Sequence, residues 1–88
     1  MKYLTGRGAN WRPMTQEPII KSGTYKKVLV TLRWGGYVDV MNVARDWEGN
    51  LHWNAFYTYE GELSSTSEIK TDSFIGWMYM PEPLKVVR

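Results

Sequence analysis

The chain has 88 residues, no cysteine and a single histidine, which excludes disulfide bonds and a Cys/His zinc site. This length predicts one small domain, residues 1–88, that buries only about 60–65% of its unfolded surface. The net charge of +2 lays down no broad basic field, and no apolar run reaches the roughly 20 residues of a membrane-spanning helix.

The aromatic and charged residues bear on stability and partners. Five Trp, six Tyr and two Phe suit dense core packing or homo-oligomerisation, which we expect here. Residues 1–33 carry seven basic side chains and one acidic one, whereas residues 34–88 carry four basic and eight acidic ones. This asymmetry fits attraction between the two halves, a head-to-tail contact between copies, or an anionic partner. The first residues lack the apolar region of a secretory signal, so we expect a cytoplasmic protein.

The N-terminal segment, residues 1–25, is irregular in pattern. Glycines and prolines interrupt it at short intervals, so neither helical nor strand periodicity persists. Its apolar side chains are suited to anchor it against a sheet, while residues 1–10 are predicted to be flexible. These anchoring residues are Trp11, Met14, Ile19 and Ile20.

Residues 26–43 carry the strongest strand pattern, an alternation interrupted by Gly35-Gly36. Two glycines accept the positive φ of a tight turn, so we predict a hairpin with a two-residue loop. That register places Trp34 opposite Tyr37 and Leu32 opposite Asp39. Both faces of this hairpin are partly apolar, which predicts cover on both sides by a second layer or another subunit.

A second hairpin is predicted at Gly49-Asn50, with residues 51–59 as the returning strand. The turn is either a two-residue turn at Gly49-Asn50 or a type I turn with Gly49 as a bulge. The choice decides which face Trp53 occupies, because a one-residue slip exchanges the faces.

Residues 60–73 form a long polar connection, either a loop or a short helix around residues 67–71. A final apolar strand, residues 74–80, ends at Pro81-Glu82-Pro83. Strict alternation places Ile75, Trp77 and Tyr79 on one face, and Phe74, Met78 and Met80 on the other. The sequence thus predicts a mainly β fold: a small antiparallel sheet of four to five strands with the irregular N-terminal segment packed on it.

The final strand also carries a resemblance, which covers residues 11–85. Trp11, Met14 and Pro18, a Val28-Leu29-Val30 strand and the ending at 76–83 resemble the small phage and prophage proteins of the domain of unknown function 551 family. That family usually ends in His-Trp-Met and, after a short spacer, Pro-Glu-Pro. Five residues match this ending: Trp77, Met78, Pro81, Glu82 and Pro83. Gly76 stands where the family has His. The resemblance implies a phage-type origin and a compact β-rich fold, and it carries no activity.

Catalytic patterns are lacking in the sequence. His52 is a lone histidine, the carboxylates of Glu60 and Glu62 flank a turn glycine, and the serines near residue 64 lack a partnered base. There is no phosphate loop or dinucleotide fingerprint. We therefore predict no enzyme, no catalytic residues, no metal and no cofactor.

Binding residues are predicted among the aromatic side chains, because Trp and Tyr offer large, stiff contact area with a polar tip. The most specific feature is the first hairpin turn, where Trp34 and Tyr37 flank two glycines next to Arg33. The remaining candidates are Trp53, Tyr57, Trp77 and Tyr79. The alternative is that these rings form the core of a domain short of aliphatic residues.

Two functions fit these features. The first is a non-enzymatic interaction module, a phage-encoded protein that self-associates and binds and modulates a host protein, for example a defence protein. Its phage origin comes from the resemblance alone. The second is a nucleotide or nucleic-acid binder, with rings stacked on bases and the basic N-terminal third holding phosphates. Sequestration of a host nucleotide signal would be one form of it.

Overall fold

The computed structural model describes residues 10–65 and 68–81, and these residues confirm the mainly β prediction. Nearly all of the segment predicted to be flexible lies outside the described residues. The elements in chain order are β1 (Thr24–Leu32), β2 (Val38–Arg45), β3 (Leu51–Trp53), β4 (Phe56–Tyr57), β5 (Leu63–Ser64), a 3-10 turn (Thr71–Ser73) and β6 (Phe74–Tyr79).

Four of these strands form the main antiparallel sheet, in the order β3-β2-β1-β6. β4 and β5 pair with each other in a small second sheet. The hydrophobic core lies on the face of the main sheet that carries Val28, Val30, Met41 and Val43, which is called the first face below. The opposite face is called the second face. Its fully or nearly fully buried side chains are Ile20, Val28, Val30, Met41, Val43, Trp53, Phe74 and Trp77.

The loop between β1 and β2 is longer than predicted. The amide of Leu32 donates to the carbonyl of Tyr37 at 2.8 Å, so residues 33–36 form a four-residue loop. The predicted pairing of Trp34 with Tyr37 is therefore wrong. Backbone pairing on the other side of β1 accompanies this longer loop. The amide of Arg33 donates to the carbonyl of Ser73 at 2.9 Å, so the pairing toward β6 extends one residue beyond β1. The observed pairing of β1 with β2 is shifted by two residues from the predicted one. An even shift leaves the side chains of both strands on their predicted faces.

The second hairpin adopts the bulged alternative. The amide of Asp46 donates to the carbonyl of Asn50 at 2.9 Å, and Gly49 has a φ of 90°. Residues 47–49 thus form the turn, rather than the two residues Gly49-Asn50. This register pairs Trp53 with Val43 and turns the Trp53 indole into the core.

The returning strand is shorter than predicted, because Asn54 interrupts it. Asn54 has a φ of 66°, a left-handed conformation that ends an extended strand. β3 therefore stops at Trp53, and the chain crosses to form β4. The rings of Phe56 in β4 and Tyr25 in β1 meet edge to face, with centroids 6.0 Å apart. β4 and β5 thus cover one end of the second face of the main sheet, where Ala44 is fully buried.

β6 contains a bulge that changes the predicted assignment of faces. Thr31 pairs with Gly76 while Leu32 pairs with Phe74, so Ile75 is the extra residue. Phe74 consequently turns onto the same face as Trp77 and is only 1% exposed. The strict alternation predicted for residues 74–80 is wrong at this point, because a bulge shifts the pattern by one residue.

The N-terminal segment packs on the first face, as predicted, with Ile20 in the core and Met14 against it. The predicted anchor Ile19 is wrong, because its side chain is 79% exposed. Arg12 pairs with Trp77 across the outer edge of β6, with N–H···O distances of 2.7 and 2.9 Å. The Arg45 side chain holds the other end of this segment, donating from Nε to the carbonyl of Ile20 at 2.7 Å and from a terminal nitrogen to that of Pro18 at 3.3 Å. Burial of Pro18 and Ile20 closes the core on this side.

The polar connection at residues 60–73 is more structured than predicted. It contains β5 and the 3-10 turn Thr71–Ser73, and Ile69 packs against the core. Residues 66–67 lie outside the described residues. Of the two alternatives for this connection, its described part follows the loop and ends in the 3-10 turn Thr71–Ser73. Ile69 lies in extended contact with β3, donating its amide to the carbonyl of Trp53 at 3.2 Å.

The bulge in β6 yields a stability prediction. We expect Phe74→Ala to lower the free energy of unfolding by about 3–5 kcal/mol, because it leaves a cavity in the core. Met80→Ala is the matched control, since Met80 is 42% exposed, and we expect a loss within about 0.5 kcal/mol. Urea denaturation followed by circular dichroism measures both. Equal losses for the two variants would contradict the bulged register.

Candidate functional site

The free end of the β1–β2 hairpin exposes four apolar side chains. Trp34 is 79% exposed and Tyr37 is 71% exposed, and next to them Val38 and Val40 are 55% and 47% exposed. Val38 and Val40 lie on the second face of the sheet, beyond the part that β4 and β5 cover. These four residues are called the hairpin surface below. Tyr and Trp together with aliphatic side chains are the composition typical of a protein-binding patch.

The loop holds Tyr37 in a defined position. Gly35 has a φ of 85°, and a Cβ added to it would lie 2.5 Å from Cε2 of Tyr37. The Tyr37 ring therefore lies directly against the Gly35 backbone, which no other residue could allow without a shift. A rigid aromatic ring loses little conformational entropy when a partner binds it.

Arg33 anchors the base of this loop instead of pointing into the hairpin surface. Its Nε donates to the carbonyl of Asp72 at 2.5 Å, next to the backbone bond between Arg33 and Ser73. Arg33 is next to Trp34 in the sequence, but its guanidinium is hydrogen-bonded to the 3-10 turn. Its role in the structure is to position the loop.

The outer edge of β2 beside the hairpin surface carries open backbone positions. The carbonyl of Asn42 accepts the amide of Asn54 at 2.8 Å, so the Asn42 backbone faces the β3 side. Backbone direction alternates along an antiparallel strand, so Val38 and Val40 face that side as well. β3 pairs only with residues 43–45. Within residues 10–65 and 68–81, β1 is the only strand that pairs with β2 at Val38 and Val40, so no described strand covers the outer side of β2 there.

Asp39 lies between these two open positions, with its own backbone facing β1. Its Oδ1 accepts the amide of Val40 at 2.8 Å, which satisfies one outward donor of the edge. The Asp39 side chain is exposed and lies on the first face, opposite Val30 in β1. The predicted register placed Asp39 opposite Leu32, and the two-residue shift of the hairpin moves it opposite Val30, at the rim of that face.

Trp53 and Trp77, two of the predicted binding residues, belong to the core. Trp53 is 5% exposed, and its ring centroid lies 5.6 Å from that of Phe74. Trp77 is completely buried, and its Nε1 donates to the carbonyl of Gln16 at 2.7 Å. The core interpretation of these rings, left open by the sequence, therefore describes both residues.

Tyr79 and Tyr57, the remaining predicted binding residues, are half-buried. Cations approach the Tyr79 ring: Cζ of Arg12 lies 5.5 Å from its centroid, and Nζ of Lys26 lies 5.4 Å from it. The Tyr79 hydroxyl accepts the amide of Ile19 at 2.8 Å. Tyr57 lies in β4, far along the chain from the hairpin surface. The structure thus leaves Trp34 and Tyr37 exposed at one loop, whereas Trp53 and Trp77 are buried and Tyr57 and Tyr79 are half-buried.

A charged cluster that the sequence analysis missed surrounds His52. Nε2 of His52 lies 2.7 Å from Oδ2 of Asp46, and Nδ1 lies 2.7 Å from Oε1 of Glu68. The hydrogen bond to Asp46 raises the pKa of His52 above its ordinary 6.5, with a smaller contribution from Glu68. The same bond lowers the pKa of Asp46 below its ordinary 3.8. Both ring nitrogens therefore donate when His52 is protonated.

This cluster holds residues 68–73 against β3. An open groove of about 640 Å³ lies beside it, with an apolar floor from Leu51 and Trp53. The opposite wall is formed by Glu68, Ile69, Lys70, Thr71 and Asp72. Asp46 lies six residues before His52, and its approach depends on the register of the second hairpin. Glu68 lies 16 residues after His52, and its approach depends on the path of residues 60–73.

Residues 10–65 and 68–81 contain neither a membrane-spanning helix nor a cluster of metal ligands. No helix in that part of the chain has the length and apolarity needed to cross a membrane. In residues 10–65 and 68–81, no three His, Cys, Asp or Glu side chains are arranged to hold a metal ion.

Comparisons of this chain with protein-family models, curated proteins and solved structures found no match. The phage-type resemblance of residues 77–83 therefore stays a prediction. The geometry of the described residues carries the functional argument.

The His52 cluster yields a pH prediction. Because the folded-state pKa of His52 is raised, its contribution to stability is fully present below the unfolded pKa of 6.5 and is lost as pH rises through the folded pKa. Asp46 has a lowered pKa, so its contribution is present above 3.8 and is lost at lower pH. We expect the cluster to stabilise most between these two values.

Urea denaturation at a series of pH values measures this dependence. His52 is the only histidine, so His52→Asn should remove the loss of stability that begins as pH rises above 6.5. Glu48→Gln, at an exposed turn position, is the control and should leave the profile unchanged. An identical pH profile in wild type and His52→Asn would refute the role of the cluster.

Proposed function

We propose that this chain is a non-enzymatic protein-binding module that engages its partner through the hairpin surface. The observation that carries the proposal is the exposure of four apolar side chains, Trp34, Tyr37, Val38 and Val40, at the free end of one hairpin. Such side chains are kept exposed at a cost in solubility, and a patch of them indicates a surface that another molecule covers.

The physical chemistry of the hairpin surface suits a protein partner. Trp34 and Tyr37 supply large rings with polar tips, and such rings dominate the binding energy of protein interfaces. Val38 and Val40 add exposed aliphatic area on the second face of the sheet. The anchoring of the loop through Arg33 and Gly35 fixes these groups in advance, which reduces the entropy lost on binding.

The partner class that we propose is a host protein, for example a component of host defence. This part rests on the resemblance of residues 77–83 to phage proteins. Self-association through the uncovered part of the second face, and binding of a nucleotide, are the competing possibilities. Burial of Trp53 and Trp77 leaves fewer rings for stacking on bases, so we place nucleotide binding second.

Substitutions in the hairpin surface test the proposal. With the tagged protein as bait in bacterial lysate, we expect a captured protein whose Kd rises by at least about 30-fold with Trp34→Ala, because interface anchors contribute about 2 kcal/mol or more. Val38→Lys should weaken binding too, since it places a charge in the apolar patch. Tyr59→Ala is the matched control, because Tyr59 is fully exposed in the β4–β5 turn.

The outcomes separate the candidate functions. Loss of the same captured protein in Trp34→Ala and its retention in Tyr59→Ala support the proposal, provided that circular dichroism shows both variants folded. Equal capture by all variants contradicts it. Tryptophan fluorescence titrated with mono-, di- and cyclic nucleotides tests the alternative: a saturable change that weakens with salt would favour nucleotide binding instead.

A further inference from the structure

The outer edge of β2 has the features of an incomplete sheet. The backbone of Val38 and the carbonyl of Val40 face outward from β2, and no described strand pairs with them. Unpaired edges of this kind are templates for another extended segment. A strand bound there would extend the order β3-β2-β1-β6 at the place where β3 stops short.

The side chains beside this edge match a bound strand. A segment paired with β2 would direct alternate side chains onto the second face, next to Val38 and Val40, which are 55% and 47% exposed. Its intervening side chain would lie on the first face, opposite Asp39. The same segment would therefore meet an apolar surface on one side and a carboxylate on the other.

We infer that the outer edge of β2 binds an extended segment of the partner protein, with apolar side chains over Val38 and Val40 and a basic side chain opposite Asp39. This inference rests on the proposed function and names the partner's chemistry. Opposite charges that face each other across two antiparallel strands stabilise the pair, and like charges destabilise it.

Asp39 gives this edge its selectivity. Its carboxylate accepts the amide of Val40, which is the donor that a bound strand would need. A Lys or Arg side chain opposite Asp39 draws the carboxylate away and releases that donor to the partner's carbonyl. A segment with an acidic or apolar residue there leaves the donor occupied. The edge is thereby closed to most strands and open to a basic one.

The same carboxylate argues against a second copy as the occupant. In the two-fold register that pairs Val38 of each copy with Val40 of the other, Asp39 lies directly opposite its own symmetry mate, with like charges in contact. The neighbouring two-fold registers place Asp39 opposite Tyr37 or Met41, so they give the carboxylate no basic partner either. A basic segment of a different protein satisfies the edge without this repulsion.

Synthetic peptides test the inference directly. The probes are two short, capped peptides that are identical except for a Val-Lys-Val or a Val-Glu-Val centre. In NMR titrations of the isotope-labelled protein, the lysine peptide should shift the amides of Val38 and Val40 and slow their hydrogen exchange. The glutamate peptide should bind about tenfold more weakly, as a change from an attractive to a repulsive cross-strand pair predicts.

Two variants separate charge from backbone pairing. Asp39→Lys should reverse the preference between the two peptides, while an N-methylated lysine peptide, which lacks ladder donors, should lose binding. Val38→Pro removes an outward N–H without removing a bond to β1, so it should weaken binding and keep the fold. Equal binding of both peptides to the wild-type chain, or shifts confined to other residues, would overturn the inference.

The tests also distinguish this inference from the proposed function. If Trp34→Ala abolishes capture of the partner but no peptide binds at β2, the partner uses the hairpin side chains alone and only the inference fails. If sedimentation shows a dimer that Val38→Pro disrupts, a second copy occupies the edge and the inference is overturned. If the peptides bind as expected but Trp34→Ala captures the partner normally, the proposed function fails instead.

Discussion

The structure depends on Trp77, which connects the sheet to the segment that covers it. Its backbone pairs with Arg12 in both directions, its indole nitrogen donates to the carbonyl of Gln16, and its ring fills the centre of the core. One residue of β6 therefore fixes the N-terminal segment through three hydrogen bonds and by packing. The chain has no disulfide, so these hydrogen bonds and this packing hold the N-terminal segment against the sheet. The hairpin end of the sheet lies outside the core that they close and faces outward.

The strand content and the position of the N-terminal segment could be predicted from the sequence, because alternation and glycine placement act locally. Register could not be predicted, because it depends on how each strand meets its neighbours. The bulge at Ile75 turns Phe74 inward only because β1 requires it. The turn at Gly49 was undecided for the same reason, since both alternatives use a glycine with positive φ. The break at Asn54 carried no strong signal, since asparagine is tolerated in strands and turns.

The candidate site was predictable in part. The sequence indicated Trp34 and Tyr37 through the glycines between them, and both are exposed. It could not separate them from Trp53 and Trp77, because an aromatic ring in an alternating strand has the same pattern whether it faces the core or solvent. The roles of Val38 and Val40 depend on how far β4 and β5 extend over the second face, which is a tertiary property. The charged cluster of His52 was not predicted, because Asp46 and Glu68 reach the imidazole only in the folded chain. Asp46 does so through the second hairpin and Glu68 through the path of residues 60–73.

The conformation of Asn54 constrains the free edge of β2 and the second face together. Its left-handed conformation ends β3 after three residues and turns the chain across the second face. The length of the free β2 edge and the area covered by β4 and β5 are therefore set by a single backbone torsion. A chain with a longer β3 would close the edge and also displace the small sheet whose Phe56 ring contacts Tyr25. The two surfaces are geometrically coupled, so neither can be enlarged or reduced without changing the other.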